Sequence, residues 1–191
     1  MAATTNFGCV GNTIRTRSGR YLNLANPGPS EIVIGDISCG LARTCRFGGQ
    51  VDRFYSVAEH SIFCAEQAAK DGLPLRAQLA ALMHDATDAY IGDIVKPLKV
   101  MLPQYAEVEG MLDAVIREKF SITSEFDEQI KEIDHGMLIA ERRALFSADR
   151  GKWTGEDEAR SFELTLICMP PRDAELEFLN RFLTLDLLLR S

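Results

Sequence analysis

Three histidines are all that the 191 residues contain, and each stands beside a carboxylate. His60 follows Glu59. His84 opens the run His84-Asp85-Ala86-Thr87-Asp88-Ala89-Tyr90-Ile91-Gly92-Asp93. His135 follows Asp134. Imidazole and carboxylate together suit a divalent transition metal. Groups this far apart in sequence meet only where rigid segments cross. The set therefore predicts several helices that each carry a ligand toward one centre. A single histidine on an apolar face is more often a satisfied core residue, and it is the constellation that points to a metal.

The apolar spacing supplies those helices. Ser56-Val57-Ala58-Glu59 has the spacing of a capping box, so a helix starts at Ser56 and carries His60 inward with Val57, Phe63, Cys64 and Gln67. Asp71-Gly72-Leu73-Pro74 ends it. A second helix is predicted from Leu75 to about Tyr90, which puts His84 and Asp88, four apart, on one face. Lys96-Pro97-Leu98-Lys99 reads as a loop or a kinked start, followed by an amphipathic helix over Gln104 to Phe120 with Val108, Met111, Leu112, Val115 and Ile116 inward. Ser124 is predicted to cap a helix from Glu125 to about Ala148, with a stripe of Ile130, Ile133, Met137, Ala140 and Ala144. Asp134 falls on that stripe, and His135 falls off it by about 100°. A carboxylate on an apolar stripe is costly unless paired or ligated, which selects Asp134 as the inward ligand and leaves His135 as a helix-surface group or one that supports the ligands from behind. A last helix over Glu175 to Arg190 turns Leu176, Leu179, Phe182, Leu183 and Leu187 inward. Residues Gly151 to Pro171 read as a loop with one helical turn, and Trp153 as packing beneath it.

Ahead of these helices, Ile14 to Leu24 reads as a hairpin about Ser18-Gly19. Ile32-Val33-Ile34 is expected to be extended, and Asp36 to cap a short helix reaching Thr44. Arg46-Phe47-Gly48-Gly49 then breaks the chain direction. The expected fold is one all-α domain over residues 1–191, with residues 1–35 as a small β-hairpin and loop decoration.

Charge and composition narrow the function. A formal net charge of −7 argues against a nucleic acid polymer as partner. No apolar run is long enough to span a bilayer, so no membrane partner is expected. Met1 to Cys9 lacks the basic start and apolar stretch of a signal peptide. Cys9, Cys39, Cys45, Cys64 and Cys168 show no Cys-x-x-Cys spacing and read as reduced thiols of a cytoplasmic protein, in a cell or a phage-infected host. Cys64, one turn from His60, reads as a buried thiol.

The pattern His60 … His84-Asp85 … Asp134 resembles the HD-domain metal-dependent phosphohydrolase superfamily. The flanks Arg46-Phe47-x-Gly49, Tyr55-Ser56-Val57-Ala58-Glu59-His60-Ser61, His84-Asp85-Ala86-Thr87-Asp88, Gly92-Asp93 and Pro97-x-Lys99 are similar to its compact nucleotide-hydrolysing branch. That branch includes bacterial 5′-deoxynucleotidases and phage dATP triphosphohydrolases. The resemblance implies His60, His84, Asp85 and Asp134 as ligands of one metal, with Mn, Co, Zn, Ni and Fe all open. It implies Arg46 and Lys99 on substrate phosphate, Phe47 as a wall for base or sugar, and Asp93 in support of a nucleophilic water or a second metal. A further Mg or Mn is expected to arrive with the substrate phosphates, and a homo-oligomer is expected. Where the branch has Glu four residues after the motif histidine, this chain has Asp88, one methylene shorter, as the candidate acid–base group. The expected activity is hydrolysis of a small nucleotide, either a deoxynucleoside 5′-monophosphate to orthophosphate or a deoxynucleoside triphosphate to triphosphate. A catalytically silent HD module that binds nucleotide is the rival reading.

Overall fold

The computed structural model describes residues 11–146 and 151–191. Cys9 and the helix end expected at Ala148 lie outside the described residues. The fold is mostly helical, as expected. Strands β1 (Thr13–Arg15) and β2 (Tyr21–Asn23) form an antiparallel hairpin with Ile14 opposite Leu22. Among the described residues eight α-helices follow: α1 (Ile34–Arg43), α2 (Val57–Lys70), α3 (Leu75–Met83), α4 (Asp88–Ile91), α5 (Lys96–Met101), α6 (Pro103–Phe120), α7 (Asp127–Leu145) and α8 (Pro171–Arg190). Helix α2 lies at the middle, touching α1, α3, α7 and α8.

Two apolar clusters flank α2. One gathers Leu22, Ile37, Leu41, Ile62, Leu82, Ile116, Phe178 and Phe182. The other gathers Tyr55, Cys64, Ala81, Ile130, Ile133 and Met137. The Ser56 cap forms where the sequence predicts it, the Glu59 amide donating to Ser56 Oγ at 3.1 Å, but the Glu59 carboxylate turns to residues 167–169 and does not close the reciprocal half of the box. That cap fixes the start of α2 and places His60 in its first turns, fully buried.

Several expectations are corrected. The hairpin connection runs from Thr16 to Arg20, closed by the Thr16 amide on the Arg20 carbonyl, and is longer than a two-residue Ser18-Gly19 turn. Asp36 does not cap α1, which begins two residues earlier. Its carboxylate instead accepts from the Ser18 amide and hydroxyl at 2.8 and 2.7 Å and ties the hairpin to the helix. Residues Lys96 to Met101 form a short helix of their own. In α6 only Leu112 and Ile116 are buried, and Met111 is exposed. Helix α7 starts after a 3₁₀ turn at Ser124–Phe126, and Ala144 lies on its exposed side. The one helical turn expected between Gly151 and Pro171 does form, with the Ala159 amide donating to the Gly155 carbonyl at 3.1 Å, and residues 161–170 then run without regular secondary structure, with Phe162, Leu164, Leu166 and Cys168 set against the second cluster. Glu59 holds this strap by accepting from the Ile167, Cys168 and Met169 amides at 3.1, 2.8 and 2.8 Å.

Close approach explains one glycine. A Cβ on Gly40 of α1 would lie 2.4 Å from the Ala89 carbonyl oxygen and 2.8 Å from its Cα on α4. Both obstacles are backbone or stem, so neither can turn aside. Gly40→Val is expected to push α1 off α4 and to lower stability by about 2 kcal/mol or more, read as a shifted urea midpoint.

Candidate metal centre

The predicted helix over Leu75 to Tyr90 breaks at the His-Asp motif. Helix α3 stops at Met83, and the next turns tighten to i→i+3 bonds, Ala86 to Met83 and Asp88 to Asp85. Asp88 therefore opens the separate short helix α4, and does not share a helix face with His84. The break leaves room for His84 Nδ1–H to donate to the Ala81 carbonyl at 2.7 Å. His60 Nδ1–H donates to Glu141 Oε1 at 2.6 Å. With both Nδ1 atoms committed, each ring turns its Nε2 toward the other, 3.2 Å apart. That is the tautomer in which imidazole binds a metal through Nε2.

Two carboxylates close on the same point. Asp134 Oδ1 of α7 lies 3.1 Å from His60 Nε2 and 3.8 Å from His84 Nε2. Asp85 Oδ2 lies 3.3 Å from His84 Nε2 and 3.6 Å from His60 Nε2. Atoms sharing one ion at about 2.1 Å stand about 3.0 Å apart at right angles and about 3.4 Å apart at tetrahedral angles. Three of the observed separations, 3.1, 3.2 and 3.3 Å, fall in that range, and the other two, 3.6 and 3.8 Å, are longer.

Cys64 also lies at hand. The ligand atoms of His60, Cys64 and His84 lie within 4.8 Å of one another, and this group can hold a metal ion. The sulfur is 3.6 Å from His60 Nε2 and 4.0 Å from Nδ1. Such near-equal distances take it off the line of the Nε2 lone pair, so the two carboxylates are better aimed.

Charges follow the geometry. Burial works against a charge on His84, but Asp85 and Asp134 outweigh it and raise its pKa well above the ordinary value. For His60, burial and Arg46 oppose the charge, and Cys64, Glu141 and Asp134 overcome them in the same direction. Asp85 and Asp134 are held low against burial, chiefly by these imidazoles. A cation binding at Nε2 therefore competes with protons for the imidazole lone pairs. The raised imidazoles contribute stability that is full below about pH 6.5 and lost as pH rises through their folded values. The depressed carboxylates contribute stability that is present above about pH 4 and lost on further acidification. Metal-free protein is therefore expected to be most stable between about pH 4 and neutrality. Saturating zinc or cobalt, which needs neutral imidazole, shifts the maximum upward. Melting curves across pH, with and without metal, read this directly.

The other predicted residues fall around this point unequally. Arg46 is buried, with Nη2 donating to Glu141 at 3.0 Å and Nη1 3.6 Å from Asp85. Lys99 is half-exposed and donates to Glu109 at 2.8 Å, over the Tyr105 ring. Phe47 sits in a left-handed turn (φ 56°, with Gly48 at 59° and Gly49 at 74°) and meets Phe146 and Trp153 edge-on, at 5.3 and 6.2 Å. Trp153 thus joins an aromatic group that also borders Arg142. Asp88 is buried, and its Oδ1 has no hydrogen-bond partner. Burial first, then Asp85, push its carboxyl up to about 8 against the pull of Lys99. Burial likewise raises Asp93, against Arg46 and Lys99. His135 packs against Gly155, away from the ligands.

The sequence reading missed Glu141. It is fully buried and accepts from His60, from Tyr55 Oη at 2.7 Å and from Arg46. Its signal was present: Glu141 lies seven residues after Asp134, on the same face of α7.

No family model matches the chain. It is 38% identical over 170 residues to the uncharacterized protein YfdR of Escherichia coli strain K12, covering 88% of this chain and 93% of YfdR. It is 39% identical over 122 residues to an uncharacterized protein of Rhodobacter capsulatus, covering 61% of this chain and 62% of that protein. Among the described residues no helix is long and apolar enough to cross a membrane.

Proposed function

The chain belongs to the same protein family as YfdR, and we propose that it is a cytoplasmic, divalent-metal-dependent hydrolase of (deoxy)nucleotide phosphates. The observation that carries this reading is the convergence of His60 Nε2, His84 Nε2, Asp85 Oδ2 and Asp134 Oδ1, with both Nδ1 atoms already engaged. These four are taken as the ligands. The motif order, similar to that of HD-domain phosphohydrolases, supports the same assignment. A metal held there would supply a bound water of lowered pKa and would offset charge on phosphoryl oxygens.

The remaining steps belong to side chains of this chain. Asp88, with its carboxyl near 8 and Oδ1 unpartnered, takes a proton from the attacking water or returns one to the leaving oxygen. Asp93 orients that water. Lys99 reaches a phosphate by giving up Glu109, and Arg46 by turning Nη1 from Asp85 while Glu141 keeps Nη2. Phe47, standing next to Arg46, forms a wall for base or sugar.

One observation favours a second reading, a nucleotide-binding module without turnover. Both cations expected to meet phosphate, Arg46 and Lys99, are already ion-paired within the chain. A product assay on parallel dNMP and dNTP panels with Mn, Co and Zn, and a chelator control, separates the two. Orthophosphate from monophosphates, or triphosphate from a dNTP, is expected in the metal arms alone. Nucleotide binding without product from metal-loaded protein establishes the module instead. Undiminished turnover under chelation overturns the metal-dependent mechanism.

A further inference from the structure

Helix α8 carries two apolar faces, and only one is in the core. The sequence predicts Leu176, Leu183 and Leu187 inward. The structure instead buries Ala174, Phe178, Phe182 and Leu185. Leu176, Leu183 and Leu187 point to the opposite side, 41%, 51% and 70% exposed. Aligned with them are the exposed Asp173, Asn180 and Arg190. The six positions follow one another at steps of 3, 4, 3, 4 and 3 residues, the alternation of a coiled-coil seam. The seam is ~26 Å long at the usual helical rise.

The seam is also self-complementary. In an antiparallel pair about a two-fold axis between residues 181 and 182, Leu176 meets Leu187 of the other copy, and Asn180 meets Leu183. At both ends Asp173 meets Arg190, whose side chain is 75% exposed beside Asp186. A parallel pair would set Asp173 against Asp173 and Arg190 against Arg190. The charge order therefore selects one orientation and one partner. We infer that the outward face of α8 is an interface between two copies of this chain, packed as an antiparallel helix pair. A two-fold contact of this kind uses one patch on both subunits, so each substitution acts twice.

Sedimentation of the full chain over a concentration series tests this. Wild type is expected to approach twice the 21.2 kDa chain mass. Leu187→Glu is expected to weaken the dimer by about 100-fold or more, with unchanged helical circular dichroism, because the residue lies off the core. Asp173→Arg and Arg190→Asp are each expected to weaken it by about 10-fold, and the double reversal to restore it. A wild type that stays monomeric at its highest soluble concentration overturns the inference. A dimer unmoved by Leu187→Glu moves the contact to another face, such as the exposed Val100 and Met101 of α5, and overturns it too. Failure of the double reversal to restore the dimer overturns the antiparallel pairing.

Discussion

Asp85→Ala is expected to lower the affinity for zinc, cobalt or manganese by roughly 100-fold or more and to remove metal-dependent hydrolysis with it. Four-ligand zinc sites are worth about 12 kcal/mol in all, so one ligand of four carries about 3 kcal/mol, a factor above 100. Asp85 does more than complete a set. Its Oδ2 faces His84, His60 and Arg46 within 3.6 Å, and its charge helps to raise the pKa of His84. In the variant His84 is therefore expected to titrate lower in the metal-free protein, and fewer protons are released when metal binds. Asp85→Asn separates the two effects, since it keeps most of the shape and loses the charge. Competition against a chelating dye gives the affinity, and calorimetry in buffers of different ionisation enthalpy gives the proton count. An Asp85→Ala protein with wild-type affinity would remove Asp85 from the ligands and leave His60, Cys64 and His84 as the holder. Cys64→Ala is the matching control. With its sulfur off the line of the His60 Nε2 lone pair, it is expected to change affinity far less.

The ligand-bearing helices were legible because their signals are local. The capping signal that starts α2 sits in four consecutive residues, and the apolar spacing of α7 selects Asp134 over His135 without reference to any other segment. The break between α3 and α4 was not legible. Nothing between Leu75 and Tyr90 opposes helix, and the tightened turn at His84–Asp88 answers to tertiary packing, with Gly40 of α1 against Ala89. The rotation of α8 was missed for a related reason. A helix apolar on two faces fits either face into a core, and only the surroundings of Phe178 and Phe182 decide which. Arg46 shows the limit at the site itself. The motif makes it a phosphate contact, yet its partner Glu141 lies 95 residues away, and no local pattern joins the two.

Glu141→Ala is expected to cost about 3–5 kcal/mol of stability and to weaken metal binding by about 10–100-fold. The carboxylate is wholly buried and serves three donors at once: His60 Nδ1, Tyr55 Oη and Arg46 Nη2. Burial works against its charge, but His60, Arg46 and Tyr55 outweigh this and hold its pKa below the ordinary carboxylate range. Its contribution is therefore present above about pH 4.5, the unfolded value, and is lost as pH falls through the folded one. Removing it leaves the buried guanidinium with only the longer contact to Asp85 and frees His60 to take the other tautomer, with Nε2 protonated and unable to bind metal. The two losses are separable. Glu141→Leu combined with Arg46→Met removes both buried charges, so most of the stability is expected to return while metal affinity stays low, because His60 still lacks its acceptor. Urea denaturation reads the first quantity, metal titration the second, and nitrogen-15 spectra of the imidazoles at alkaline pH report the tautomer. If the double variant recovered both stability and metal affinity, Glu141 would be only the counter-ion of Arg46, and the orientation of His60 would have to come from the packing of α2 alone.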